Sequence, residues 1–175
     1  GQYVCWNLIQ KINENLSNLD GIVDVYPALN PLGVNAMTRG VPQFDLDMNR
    51  IFPGNQNGTF VEYTASKIIE DLDGADVVVD IHASNIFLTE VPQVRINVQT
   101  VDSLMDLAKT VNCDFIWVHS AATVLESTLA YSLNSIDTPT LVVEMGVGMR
   151  ITKEYGDQLT DGLLALMKKI GIWNG

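Results

Sequence analysis

Two titratable side chains each close an apolar run. His82 follows Ala75-Asp-Val-Val-Val-Asp-Ile, and Glu144 follows Thr140-Leu-Val-Val. The first run reads as a buried central strand and the second as a strand of the same type. In open parallel sheets, ligands bind beyond the carboxyl ends of strands, where both residues fall. An imidazole there can hold a divalent metal, and a carboxylate can act as a general base. A lone histidine is more often structural, but two titratable groups at equivalent strand ends point to a site. A third feature is Asp45-Leu-Asp-Met-Asn-Arg-Ile-Phe-Pro-Gly54. The adjacent Asn49 amide and Arg50 guanidinium suit a carboxylate, the arginine through its two-pronged fork. The same pair also reads as an Asx-turn beside a surface ion pair. Arg39, in Met37-Thr-Arg-Gly40, offers a second positive group or an ordinary solvated loop arginine.

The elements that must hold these residues follow from periodicity. Val4, Leu8, Ile12 and Leu16 predict a helix over about 3–19, ended by Asp20-Gly21. Ile22–Tyr26 predicts a short strand. Residues 27–59 hold four of the six prolines and show no clear period, so they read as a long functional loop. Helices are expected over 63–72, 104–111, 124–134 and 159–170, and strands over 75–82, 94–98, 114–118 and 140–144. Helices alternating with short apolar strands predict an α/β fold, three-layer αβα with a mostly parallel mixed sheet.

Composition narrows the function. A length of 175 residues fits one domain with a sizeable core. The net charge of −11 excludes a nucleic-acid partner, which needs a basic surface. Neither GxGxxG nor GxxxxGK[ST] occurs, which disfavours a nucleotide-binding domain. Cys5 and Cys113 lie in apolar contexts outside any CxxC pair, so a reducing, cytoplasmic setting is expected. No apolar run reaches the roughly 18 residues of a membrane span, and no leader is recognisable. The chain opens in a helical pattern without Met and closes directly after another helix. It is therefore expected to be a partial catalytic domain over 1–175.

The three chemical features, in this order, resemble the succinylglutamate desuccinylase/aspartoacylase family of the zinc carboxypeptidase-like superfamily. The carrying residues are Asn30-Pro-Leu-Gly33, Arg39, Asp47-Met-Asn-Arg-Ile-Phe-Pro-Gly54, Asp80-Ile-His82 and Glu144-Met-Gly146. The Asp-x-Asn-Arg-x-Phe-Pro-Gly piece is the specific one. The resemblance implies a zinc carboxypeptidase-like fold and zinc as cofactor, with His82 as a metal ligand beside an upstream His-x-x-Glu pair. It implies that Asp80 orients His82, that Glu144 is the catalytic general base, and that Arg39, Asn49 and Arg50 bind substrate. The implied reaction is hydrolysis of the amide in an N-acyl amino acid or related small acylated amine. No His-x-x-Glu occurs here, and the family's C-terminal β domain is missing, so the chain alone is expected to be inactive. A homo-oligomer is possible. Open alternatives are a carboxypeptidase acting on peptides, a non-catalytic carboxylate-binding domain, and a metal shared by His82 and His119. The roles of His119 and Arg150 are left open by the sequence.

Overall fold

The computed structural model describes residues 1–120 and 126–175. Among the described residues, four strands form one mixed sheet: β1 (Val78–Ser84), β2 (Glu90–Asn97), β3 (Phe115–His119) and β4 (Thr140–Val147), in the order β1-β4-β2-β3. β1 runs parallel to β4 and β2 parallel to β3, while β2 and β4 are antiparallel. Two of the three pairings are thus parallel, as expected of a mostly parallel mixed sheet.

Alternation along the strands divides the sheet into two unlike faces. Val79 and Ile81 of β1, Leu141, Val143 and Met145 of β4, and Val94 and Ile96 of β2 belong to one apolar cluster. That cluster is roofed by α1 (Gln2–Glu14), α4 (Val101–Ala108) and α6 (Lys153–Lys169). α1 contributes Val4, Leu8 and Ile12, one apolar stripe at four-residue spacing, and α6 contributes Leu159, Leu163, Leu166 and Met167. The intervening residues Asp80, His82, Glu144, Gln93 and Arg95 fall on the opposite face.

A second layer covers the β1 side of that polar face. Here α3 (Phe60–Leu72) and α5 (Leu129–Asn134) pack with the long loop through Val41, Met48, Phe52, Val61, Ala65 and Leu133. α3 begins at a capping box: Thr59 Oγ1 accepts from Glu62 N, and Thr59 N donates back to Glu62 Oε2 at 2.7 Å. The loop carries a short helix of its own, α2 (Pro31–Ala36). Asn30 caps it by accepting from Gly33 N at 2.9 Å, and proline stands at its first position.

Three expectations change. The run 75–82 is not central: among the described strands β1 lies at the sheet's edge, and its apolarity reflects the helices and loop covering it. Ile22–Tyr26 forms no strand. Its one nearby ladder contact is the isolated bridge between Leu19 and Trp173, and Ile22 is exposed. β-branched residues favour a strand only where a neighbouring strand offers a partner. The first helix stops at Glu14 and is followed by a 3₁₀ turn at Leu16–Asn18. Positions 124 and 125 of the helix expected over 124–134 lie outside the described residues; the described part is α5.

Candidate active site

His82 and Glu144 are direct partners in the parallel pairing of β1 with β4. Residues so paired project from the same face of a sheet, so the imidazole and the carboxylate stand side by side at the carboxyl ends of their strands. Immediately beyond them the ladder becomes irregular. Register shifts occur between His82 and Ser84 on β1 and between Glu90 and Gln93 on β2, and Gly146 adopts φ +70. A glycine tolerates that left-handed conformation, and such irregularities re-aim side chains at strand ends.

Asp80, two residues before His82 on the same face, places Oδ2 2.9 Å from His82 Nε2. This contact occupies Nε2 and leaves Nδ1 as the ring nitrogen without a hydrogen bond among the described residues. Burial opposes protonation of His82, but the Asp80 carboxylate and, more weakly, Glu144 outweigh it; the net effect raises the imidazole above its usual range. For Glu144 burial pushes the carboxyl up, while His82 and Arg95 partly restore its acidity. The pair therefore brings together a base held above the ordinary carboxylate range and a histidine whose orientation is fixed.

A pocket of about 160 Å³ opens in front of His82, lined by Asp80, Arg39, Asp47, Asn49 and Phe52 among others. The motif Asp47–Gly54 splits into two jobs. Asp47 and Asn49 give the pocket its polar wall, whereas Phe52, which also borders it, is buried in the α3–α5 cluster and anchors the loop. Gly54 lies so close to α3 that a Cβ would stand 2.3 Å from Glu62 O, which locks the loop down. Asp47 accepts from Asn49 N at 3.0 Å and from Arg39 Nε at 2.8 Å. Asn49 Oδ1 accepts from Leu129 N at 2.9 Å, so the amide NH₂ is the end left to donate.

Of the residues singled out by sequence, the structure brings together His82, Asp80, Arg39 and Asn49 at one pocket, with Glu144 on the strand beside His82. Arg50 does not join them. It is exposed, does not line the pocket, and donates from Nη1 to the Asn49 carbonyl at 2.6 Å. His119 ends β3 at the far edge from β1, three inter-strand spacings or roughly 14 Å to the side and four residues further along, too far to share a metal with His82. Arg150 lines a separate cavity of about 450 Å³ with Tyr3, Met145 and Tyr155; that cavity is lined by no histidine or acid.

Sequence reasoning missed Glu90, Gln93 and Arg95. Arg95 Nη1 lies 3.2 Å from Glu144 Oε2 and Nη2 lies 2.6 Å from Glu90 Oε2. The available signal was alternation: Gln93 and Arg95 occupy the non-core positions of a strand whose other positions, Val94 and Ile96, are fully buried.

His82 fits a zinc ligand in type, place and free nitrogen. The described residues do not complete such a centre, since no group of three or more His, Cys, Asp and Glu side chains among them could hold a metal ion. No described helix is long and apolar enough to cross a membrane.

Comparison with known proteins accords with this arrangement. Residues 1–170 match the model of the succinylglutamate desuccinylase/aspartoacylase catalytic domain. A succinylglutamate desuccinylase/aspartoacylase from Rhodobacter sphaeroides superposes with a TM-score of 0.85 at 23% identity, covering 99% of this chain and 53% of that one. The product-bound ectoine utilization protein EutE of Ruegeria pomeroyi gives 0.87 at 20% identity, covering 100% and 54%. The D,L-carboxypeptidase Csd4 of Helicobacter pylori gives 0.66 at 14% identity, covering 87% and 44%. The chain thus spans about half the length of these structures. No curated protein matches it. With a family match over nearly its whole length and the fold of these hydrolases, the chain belongs to the succinylglutamate desuccinylase/aspartoacylase family.

Proposed function

We propose that the protein hydrolyses the amide bond of an N-acyl amino acid or a related small acylated amine in a zinc-dependent reaction. The observation that carries this reading is the in-register pairing of His82 with Glu144 beside a pocket that also presents Arg39 and Asn49. His82 would hold the zinc, with Nδ1 the ring nitrogen that Asp80 leaves unengaged. When bound, zinc supplies electrophilic polarisation of the amide carbonyl and a more acidic water.

Each side chain has a part. Asp80 holds the His82 ring in one orientation and keeps Nε2 from competing. Glu144 removes a proton from the attacking water and returns it to the leaving nitrogen. Its upward-shifted pKa favours the return step, because a carboxyl closer to neutrality is the better acid–base shuttle. Asn49 donates its NH₂ group to a substrate oxygen. Arg39, with 73% of its side chain exposed, stands at the mouth and draws in a carboxylate, sharing its guanidinium with Asp47. Arg50 contributes at most positive charge from outside the pocket.

The test uses the full-length protein supplied with zinc and a panel of N-acyl amino acids and short peptides. Release of a free amino acid from an N-acyl substrate is expected. Cleavage of peptides alone would move the assignment to a carboxypeptidase. Saturable binding of N-acyl amino acids without turnover would make it a carboxylate-binding domain.

A further inference from the structure

The mechanism above leaves two charged side chains of the polar face unused, Glu90 and Arg95, and only the second touches the proposed base. Arg95, in the middle of β2, reaches two carboxylates at once: Nη2 donates to Glu90 Oε2 at 2.6 Å, and Nη1 stands 3.2 Å from Glu144 Oε2. The guanidinium carbon lies 5.2 Å from the centroid of the Trp117 ring, which limits its movement from the β3 side. Glu90 is anchored in turn, accepting from Gln93 Nε2 at 2.5 Å and from Ser84 Oγ at 3.4 Å. Both terminal nitrogens of Arg95 are thus committed to protein carboxylates. That distinguishes Arg95 from Arg39, whose exposed guanidinium can meet an incoming anion.

We infer that Arg95 is a positioning residue for Glu144. It pins Oε2, so that Oε1, which meets no donor among the described residues, is the oxygen presented for proton transfer. The need for such a pin follows from the backbone. Glu144 is the last residue of β4 in register with both neighbours, the ladder shifts immediately beyond it, and Gly146 two residues on has positive φ, so regular pairing on one side only leaves the end of its long side chain to be fixed by a partner. Arginine suits the task because its rigid fork spans two carboxylates at once, which a lysine ammonium does not. The Glu90–Arg95–Glu144 chain crosses from β2 to β4, and both acids are mostly buried, with 18% and 12% of their side chains exposed. Exposed ion pairs are weak restraints; a pair withdrawn from water is a stronger one.

This inference rests on the reading of Glu144 as the base, and the experiment separates the two. In the full-length enzyme, Arg95→Gln is expected to lower kcat by about 100-fold with KM within about twofold, and Arg95→Lys to recover only part of the loss. In a Glu144→Gln background the same Arg95→Gln change is expected to cost nothing further, because Arg95 acts only through Glu144. A raised KM at unchanged kcat, or an equal loss in both backgrounds, would overturn the assignment in favour of direct substrate contact. Crystal structures of the wild type and Arg95→Gln give a readout independent of turnover. The Glu144 carboxylate is expected to leave its wild-type position in the variant; an unmoved carboxylate overturns the positioning role even if no substrate is ever hydrolysed.

Discussion

The two faces of the sheet are built from the same strands and differ in almost everything else. The face under α1, α4 and α6 carries Val79, Ile81, Val94, Ile96, Leu141 and Val143, with Val94, Leu141 and Val143 wholly withdrawn from solvent. The other carries Asp80, His82, Gln93, Arg95 and Glu144, joined by charge-assisted contacts and open on one side to a pocket. One residue's shift along a strand moves a side chain from one regime to the other. Folding free energy comes mainly from the apolar face. The polar face spends part of it holding charges together in a partly dry setting, which is the usual cost of a chemical site.

That contrast can be broken most sharply at Glu144. Glu144→Gln keeps the shape and is expected to lower turnover of an N-acyl amino acid by roughly 1000-fold, about 4 kcal/mol of barrier, while the thermal midpoint barely moves. A loss of stability comparable to the loss of rate would show that the polar face is structural. The converse change is Leu141→Ala, three positions away on the same strand. It should remove about 3 kcal/mol of stability in denaturant melts, with kcat per folded molecule unchanged. A large fall in kcat would mean that the faces are not separable.

A smaller effect tests the charges. His82 gains a partner in Asp80, and its pKa is raised on folding. The stability this provides is present in full below the unfolded imidazole pKa of about 6.5 and is lost as pH rises through the higher folded value. In metal-free protein, the stability gap between wild type and His82→Gln should therefore shrink between acidic and mildly alkaline pH. The Leu141→Ala deficit should stay flat over the same range. A His82 gap that widens with pH would reverse the assigned sign. The smallest effect is chemical rather than energetic. Cys113 packs against the apolar cluster, and burial, with help from Asp114, pushes its thiol up to about 12. Native protein at pH 8 should resist alkylation at Cys113 until it is unfolded; rapid modification would show that the apolar face is not dry.

How much of this was legible in the sequence depended on the range of the interaction that decided each feature. β1 and β4 were readable because their apolar runs report local burial, β3 because its aromatic and β-branched residues favour a strand even though Phe115, Trp117 and Val118 are exposed, and the stripe of Val4, Leu8 and Ile12 announced α1. The edge position of β1 was not readable, because strand order depends on partners such as Thr140 for Val78, 62 residues away in sequence. Ile22–Tyr26 failed for the same reason: it has the right residues but no partner strand. At the site, His82 and Glu144 stood out because polar residues closing apolar runs are conspicuous, while Asp80 was reached only through the family resemblance. Asn49 was visible through its motif, but that Arg50 turns outward depended on the 3₁₀ turn at Met48–Arg50. Arg95 was hidden within an ordinary alternating strand, where a charged residue on the non-core side normally faces water. Only the fold shows that two carboxylates meet it there.

The bond from Leu129 N to Asn49 Oδ1 joins residues 80 positions apart and ties the loop to α5. Contacts of such long sequence separation form slowly, because much of the chain must be ordered before they can close. The pocket's lining is drawn from sequence positions as far apart as Leu29 and Leu129, so it exists only once these distant segments have met. During refolding, affinity for an N-acyl ligand should emerge with the last kinetic phase and not with the first secondary structure. A ribosome-bound nascent chain would remain blind to substrate until residues well past Leu129 had cleared the exit tunnel.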